Sequence, residues 1–252
     1  QRPHDTSDRS PYWYQTVSPY PVSQLTPDKT MQIRPAAMAH LTLLYSHMKP
    51  RNPVCIVKSH MLNGHTQGIP NFSPMWVDFA IYITRDPRDI VPSWAHHMGS
   101  SLTEAAEAIS SRDAALGDPV GISKGVTVYE PVSTWSEHVR SWTESPTVAT
   151  LVTSYEEMHK STLSVLAAII KQIDGEVDLD AARAAVKECE FERLKAKEEA
   201  GEVDDRPKGS DRPFYRKGKV QHGGELPRAL RRRIEKEHGD IMRKLGYLDD
   251  GD

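Results

Sequence analysis

An α/β fold with a parallel sheet is predicted by three features of the sequence. Short, continuous apolar runs occur at residues 54–57, 79–84 and 148–152, and each is followed at once by polar, chemically capable residues. Segments with helical apolar spacing lie between and after the runs. With 38% apolar residues among 252, the chain also carries enough apolar material for one sizeable core. Runs without alternation fit strands buried on both faces. Strands that alternate with helices imply right-handed crossovers and a sheet covered on both sides, whose ligands bind at the carboxyl ends of the strands.

The elements follow in order. Residues 1–27 are rich in Pro, Ser, Asp and Tyr without periodicity, which predicts irregular, surface-hugging chain, with Trp13 and Tyr14 placed to cover a site. Thr26 is set to cap a helix that Pro27 begins. Met38, Leu41, Leu44, Tyr45 and Met48 continue it at helical spacing to an end near residues 49–50. After the strands, helices are expected over 90–97, 102–109, 133–143, 161–173 and 180–187. A charged, glycine-containing loop should then cover 195–224, and a basic helix over 227–245 closes the chain. No internal repeat is present, so residues 1–252 read as one domain.

Several classes are excluded. No apolar run approaches the roughly 20 residues of a membrane-spanning helix. Cys55 and Cys189 stand far apart, without the spacing of a disulfide framework or zinc module, and a reducing cytoplasm is the expected home. The scattered His residues, including His96-His97 and the pair His60 and His65, fit no metal-ligand spacing. A net charge of −3 points to a small anion rather than a nucleic acid, and to no membrane surface.

Three constellations could do chemistry. Lys58-Ser59-His60 follows the first strand. His can take a proton at neutral pH, and Lys two residues earlier faces the same side of extended chain, although a strand-end His also serves as a structural hydrogen-bonding residue. Arg85-Asp86-Pro87-Arg88-Asp89 ends the second strand, with Ser93 one turn into the next helix. A phosphate there would meet Arg85, free helix N–H groups and a hydroxyl together, and Asp89 is placed to cap the helix. An Arg/Asp surface network is the alternative. Arg216-Lys217-Gly218 offers two cations beside a glycine that lets backbone approach a phosphate, or else a solvated basic loop.

Taken in sequence order, these motifs resemble the cytosolic-type sulfotransferases in their bacterial or phage-like form. Val57-Lys58-Ser59-His60 is similar to that family's strand-end Lys-[Ser/Thr]-His. Tyr82 to Asp89 with Ser93 is similar to its 3′-phosphate strand, loop and helix. Trp135 to Trp142, Ser154-Tyr155-Glu156-Glu157-Met158, Phe191-Glu192-Arg193-Leu194, Arg216-Lys217-Gly218 and Ile241 to Leu248 continue the match. The resemblance implies a three-layer, P-loop-NTPase-like fold with a central parallel sheet flanked by helices. It also implies a sulfuryl transfer from 3′-phosphoadenosine 5′-phosphosulfate (PAPS) to a hydroxyl or amine of a small-molecule acceptor, with adenosine 3′,5′-bisphosphate (PAP) as product and no metal.

By the same resemblance His60 is the general base and Lys58 contacts the transferring group. Arg85, Ser93, Arg216, Lys217 and Gly218 hold the 3′-phosphate, while Tyr155 and Phe191 lie at the adenosine. The charged 195–224 loop would cover the nucleotide. The acceptor would be met by variable loops over 65–76, 97–126 and 195–212, with Phe72, Met75, Trp76 and Trp94 as pocket or core residues. Two departures stand out. The family's Tyr-Pro-Lys-Ser-Gly-Thr-Thr-Trp phosphate loop is absent, with only Ser18 to Leu25 as an echo, and the sequence opens on Gln1, so the first strand and loop are expected to be missing from this chain. After Gly218 the chain reads Lys219-Val220-Gln221-His222-Gly223-Gly224 in place of a Gly-x-Trp. A non-catalytic nucleotide-binding relative and a nucleotide or small-molecule kinase of the same fold remain as alternatives.

Overall fold

The computed structural model describes residues 7–48, 54–117, 122, 124–125, 127–144, 148–203, 206, 211–221 and 223–249. Along the chain they form α1 (Pro11–Gln15), a 3-10 turn (Val22–Gln24), α2 (Pro27–Met48), β1 (His65–Thr66), β2 (Ile69–Pro70), β3 (Ala80–Thr84), α3 (Pro87–Met98) and α4 (Leu102–Ser110). There follow β4 (Ala115–Leu116), β5 (Glu130–Pro131), α5 (Trp135–Thr143), β6 (Thr150–Ser154), α6 (Tyr155–Asp174), α7 (Leu179–Glu188), α8 (Phe191–Glu199) and α9 (Arg228–Lys244). They group into two compact units, one of residues 1–80 and 110–150, the other of residues 81–109 and 151–252.

In the first unit α1 packs on α2, and the core gathers Trp13, Tyr14, Val22, Leu25, Ala37, Met38, Leu41 and Val128. This corrects two expectations for residues 1–27. The opening stretch contains a helix and a 3-10 turn, and Trp13 and Tyr14 are buried core residues rather than a cover. Pro11 at the first helical position orders one short turn, enough to put both rings inward. Thr26 caps α2 as the sequence predicts, its hydroxyl accepting from the Lys29 N–H at 3.4 Å. The expected helix end at 49–50 falls outside the described residues.

The expected first strand does not form among the described residues. Residues 54–57 run without a ladder partner, and the chain makes only an isolated parallel bridge between Ser7 and Lys58, where the Asp8 N–H donates to the Lys58 carbonyl at 3.1 Å. Cys55 and Val57 pack on the core while Ile56 is 66% exposed, so the run is one-faced and not buried on both sides. A continuous apolar run fixes neither a neighbouring strand nor a second face.

In the second unit β3 and β6 form the parallel pair of the expected α/β fold. Ile83 and Val152 are exposed in it, so neither strand is covered on both faces. α9 packs on α3, and α7 on α6. Helix 161–173 begins earlier than predicted, at Tyr155, because Ser154 caps it by accepting from the Glu157 N–H at 3.0 Å. A break at Ser161 marks the start that periodicity suggested. The 195–224 stretch is not loop throughout, since α8 runs to Glu199.

One buried cation ties this unit together. Arg88 donates to the Asp86 carboxylate at 2.7 Å, to Glu235 of α9 at 2.8 Å and to the Tyr247 carbonyl at 2.6 Å. The Tyr247 hydroxyl in turn meets Thr84 at 2.9 Å and donates to Glu156 at 3.1 Å, and Glu156 accepts from the Asp86 N–H. The ends of β3 and β6 and the starts of α3 and α6 are thereby fixed to α9. Arg88→Met leaves the buried Asp86 carboxylate without its guanidinium and Glu235 with Arg231 alone, and should cost about 3–5 kcal/mol, read as a loss in urea unfolding. A loss below 1 kcal/mol would show that the network is dispensable.

His238, buried in α9, has its pKa held below the ordinary value by that burial. The unfolded state then binds a proton more readily than the folded one, so stability is complete above about pH 6.5 and falls as pH drops below it. Melting temperatures from about pH 8 to 5 should decline, and less steeply in His238→Gln.

Candidate functional site

Each unit carries one polar cluster built from the predicted motifs. In the first, the chain through His60 is gripped by α5 at three successive points. His138 Nε2 donates to the His60 carbonyl at 3.1 Å, Trp142 Nε1 donates to the Met61 carbonyl at 3.1 Å, and Ser141 Oγ accepts from the Asn63 N–H at 2.9 Å. These residues recur at helical spacing, so a Trp-Ser-Glu-His-Val-Arg-Ser-Trp helix presents one face to an extended strand-end segment. β5 adds a fourth hold, the Leu62 N–H donating to the Pro131 carbonyl at 3.1 Å. Burial lowers the His138 pKa, in keeping with a neutral donor.

The His60 imidazole faces a residue that sequence reasoning missed. Glu130 is fully buried. Its Oε2 lies 3.6 Å from His60 Nδ1 and 2.9 Å from Arg9 Nε, and its Oε1 accepts from the His60 N–H at 3.4 Å. Burial raises the Glu130 pKa above the usual carboxylate range. Asp8, paired with buried Arg34 at 2.7 Å, borders the same cluster. The signal in the sequence was a lone carboxylate between Tyr129 and Pro131, next to an apolar stretch. Lys58 is exposed and Ser59 Oγ accepts from the Met61 N–H at 3.2 Å.

In the second unit the strand ends bring Arg85 and Tyr155 together. The Arg85 guanidinium stacks 4.2 Å above the Tyr155 ring, with one Nη donating to the Lys219 carbonyl at 3.4 Å. Arg85 Nε is buried without a hydrogen-bond partner. Ser93 lies half-buried in the same α3 that Arg85 precedes. Asp89 does not cap that helix. Asp86 does so by accepting from the Arg88 N–H at 2.8 Å, and Asp89 instead accepts from the Gln221 and Gly223 N–H groups at 2.7 Å each, fastening the downstream loop to α3.

That loop carries the third motif. Gly218 has φ +58°, and a Cβ there would run into the Phe191 ring, so glycine is required by both backbone and space. His159 Nε2 donates to the Gly218 carbonyl at 3.0 Å. Phe191 meets Tyr215 edge to face at 6.2 Å. Arg216 and Lys217 are not simply solvated. Arg216 makes a bidentate pair with Glu225 at 2.8 and 3.0 Å, and Lys217 reaches the same carboxylate at 2.9 Å, which holds the Glu225 carboxyl down at about 2. A cavity of about 460 Å³ lies against this pair, lined also by Pro92, Ala95, His96 and Ser101.

The proposed acceptor residues separate. Phe72 is core, 7% exposed, with its ring 4.8 Å from Trp142 and under the Arg34 guanidinium. Trp76 is half-buried against the core with its Nε1 unpartnered, Met75 is exposed, and Trp94 stacks on His97 at 6.0 Å. Among the described residues no three His, Cys, Asp or Glu side chains cluster as metal ligands, and no helix is long and apolar enough to cross a membrane.

Comparison with known proteins agrees with the fold. Mouse sulfotransferase SULT7A1 in complex with PAP superposes with a TM-score of 0.55 at 19% identity, over 77% of this chain and 67% of that one. Retinol dehydratase in complex with androsterone and the inactive cofactor PAP gives 0.55 at 20% identity, over 91% and 64%. The chain therefore spans about two thirds of the length of these neighbours. No curated protein matches it by sequence. The family model described as a sulfotransferase domain matches residues 78–244, the stretch that holds the strand-end Arg85, the α5 clamp and the Gly218 loop, and on that match the chain belongs to the sulfotransferase family.

Proposed function

We propose that this chain is a PAPS-dependent sulfotransferase acting on a hydroxyl or amine of a small-molecule acceptor. The observation that carries the reading is Arg85. A buried, unpartnered guanidinium N–H, on a cation stacked over an aromatic ring at the carboxyl ends of two parallel strands, fits an anionic nucleotide group. The donor supplies the sulfuryl group and leaves as PAP.

In this reading Arg85 and Ser93 hold the 3′-phosphate, Arg216, Lys217 and the Gly218 backbone contact it, and Tyr155 and Phe191 offer aromatic faces to the adenine. Glu225 already pairs with Arg216 and Lys217 and offsets one of their two charges, so a bound phosphate competes with it for both cations. His60 takes the acceptor proton, and Lys58 supplies positive charge to meet the charge that develops in transfer. Trp76 and Trp94 remain as acceptor contacts, while Phe72 is occupied in the core. Both cysteines are free thiols, in keeping with a reducing, cytoplasmic setting.

Two titrations and one assay test this. PAP should bind by calorimetry, and Arg85→Ala should weaken it by about 10- to 100-fold, with little change for adenosine 5′-phosphate, as expected for loss of a charge-assisted contact. His60→Ala should keep PAP binding yet lower sulfuryl transfer from labelled PAPS to a panel of phenols and alcohols by about 10²- to 10⁴-fold. No binding at millimolar PAP would overturn the reading. Binding without transfer in the wild type would leave a nucleotide-binding relative in its place.

A further inference from the structure

We propose that Glu130 is the positioning residue for His60, a buried carboxylate that fixes the imidazole with its proton on Nδ1 and its Nε2 lone pair free. The inference rests on the reading of His60 as the base. The geometry begins with the two nitrogens of the ring. Nδ1 is buried with no hydrogen-bond partner, and Glu130 Oε2 lies 3.6 Å from it, an oxygen that is itself buried and without a hydrogen-bond partner. The side chain as a whole is 38% exposed, while Nδ1 is buried.

The tautomer follows from electrostatics. With the proton on Nε2, the Nδ1 lone pair would face a carboxylate oxygen away from water, an arrangement in which both groups repel and neither is satisfied. With the proton on Nδ1, the N–H points at the carboxylate and Nε2 is left to accept a proton from an acceptor hydroxyl. A contact of 3.6 Å is an ion-pair distance and too long for a hydrogen bond, and such contacts shorten when a catalytic site is engaged.

Glu130 is itself held from several sides. Its Oε1 accepts from the His60 N–H, so one carboxylate grips both the backbone and the ring of the same residue. Arg9 Nε stands 2.9 Å from Oε2, and Arg9 is steered by a 3.2 Å hydrogen bond to Thr127. Among the described residues Asp8, Tyr14, Arg34 and His138 are further charged or titratable groups around the cluster. Burial and the neighbouring Asp8 carboxylate raise the Glu130 pKa, while a hydrogen bond from His60 and the nearby Arg9 favour its ionised form. The arrangement repeats the logic of any base whose imidazole is oriented by a buried carboxylate.

The test reads the tautomer directly and does not depend on turnover. In the full chain labelled with ¹⁵N histidine, without ligand and above about pH 8 where imidazoles are neutral, two-bond correlation spectra should show His60 protonated on Nδ1. Protonation on Nε2 overturns the proposal, whatever any variant does. Glu130→Gln keeps the shape and removes the charge. It should mix the two tautomers and lower kcat about 10- to 100-fold with acceptor KM and PAP affinity within about twofold. If Glu130→Gln does not fold, the wild-type spectrum still decides. Inactive His60→Ala beside a wild-type-like Glu130→Gln rejects the positioning role alone. A fully active His60→Ala rejects the base assignment on which it rests.

Discussion

A buried guanidinium organises each unit. It carries a charge and five N–H groups that an apolar interior cannot satisfy, so every segment around it must bring an acceptor to a fixed place. Arg34, from the middle of α2, donates to the Asn71 carbonyl at 2.9 Å, to the Tyr14 hydroxyl at 3.0 Å and to the Asp8 carboxylate at 2.7 Å. Two stretches, one holding Asp8 and Tyr14 and the other Asn71, are thereby pinned to one helix. Arg88 does the same where β3 and β6 end. Pairs of this kind add little net stability compared with well-packed apolar residues, because desolvation consumes most of the Coulomb gain. Their contribution is geometry.

That geometry is inherited by the functional side chains. Asp8, held by Arg34, donates its N–H to the Lys58 carbonyl and hands the chain to Arg9, which meets Glu130, which faces His60. The ring at the end of this series needs no rigidity of its own. Its backbone is fixed by α5 and β5, and one of its nitrogens faces a buried carboxylate 3.6 Å away. In the other unit Arg88 closes on Asp86, leaving Arg85, one residue before it, as the strand-end cation with an open Nε.

The sequence made local features legible. Thr26 and Pro27 act within a few residues of themselves, so their pattern is enough to place the start of α2, whereas α3 starts at Pro87 under an Asp86 cap, ahead of the residue 90 that periodicity marks. Arg85 and Tyr155 meet at the strand ends, and Gly218 in the later loop lies against Phe191. What was not legible depended on partners remote in the chain. Residues 54–57 had strand composition but no described ladder, Trp13 and Tyr14 looked like surface aromatics until α2 covered them, and Asp89 was assigned to its own helix rather than to the loop at Gln221 and Gly223. Glu130 and Arg9 carried no motif at all. A single buried charge is recognisable only once its neighbours are known.

Glu225 shows the same limit and one consequence of it. Arg216 and Lys217 read as a free cationic pair because spacing reveals cations but not the anion that will meet them. The carboxylate that binds both is ionised down to about pH 2, so acidification within the ordinary range does not release them. Only a competing anion can, and it must offer more than a carboxylate does. A carboxylate brings one negative charge and two oxygens, whereas a phosphate monoester near neutral pH brings close to two charges and three oxygens. In the proposed reading the pair therefore discriminates by charge and by number of acceptor atoms, and a loop that carries its own weaker anion favours a dianionic phosphate over monoanions.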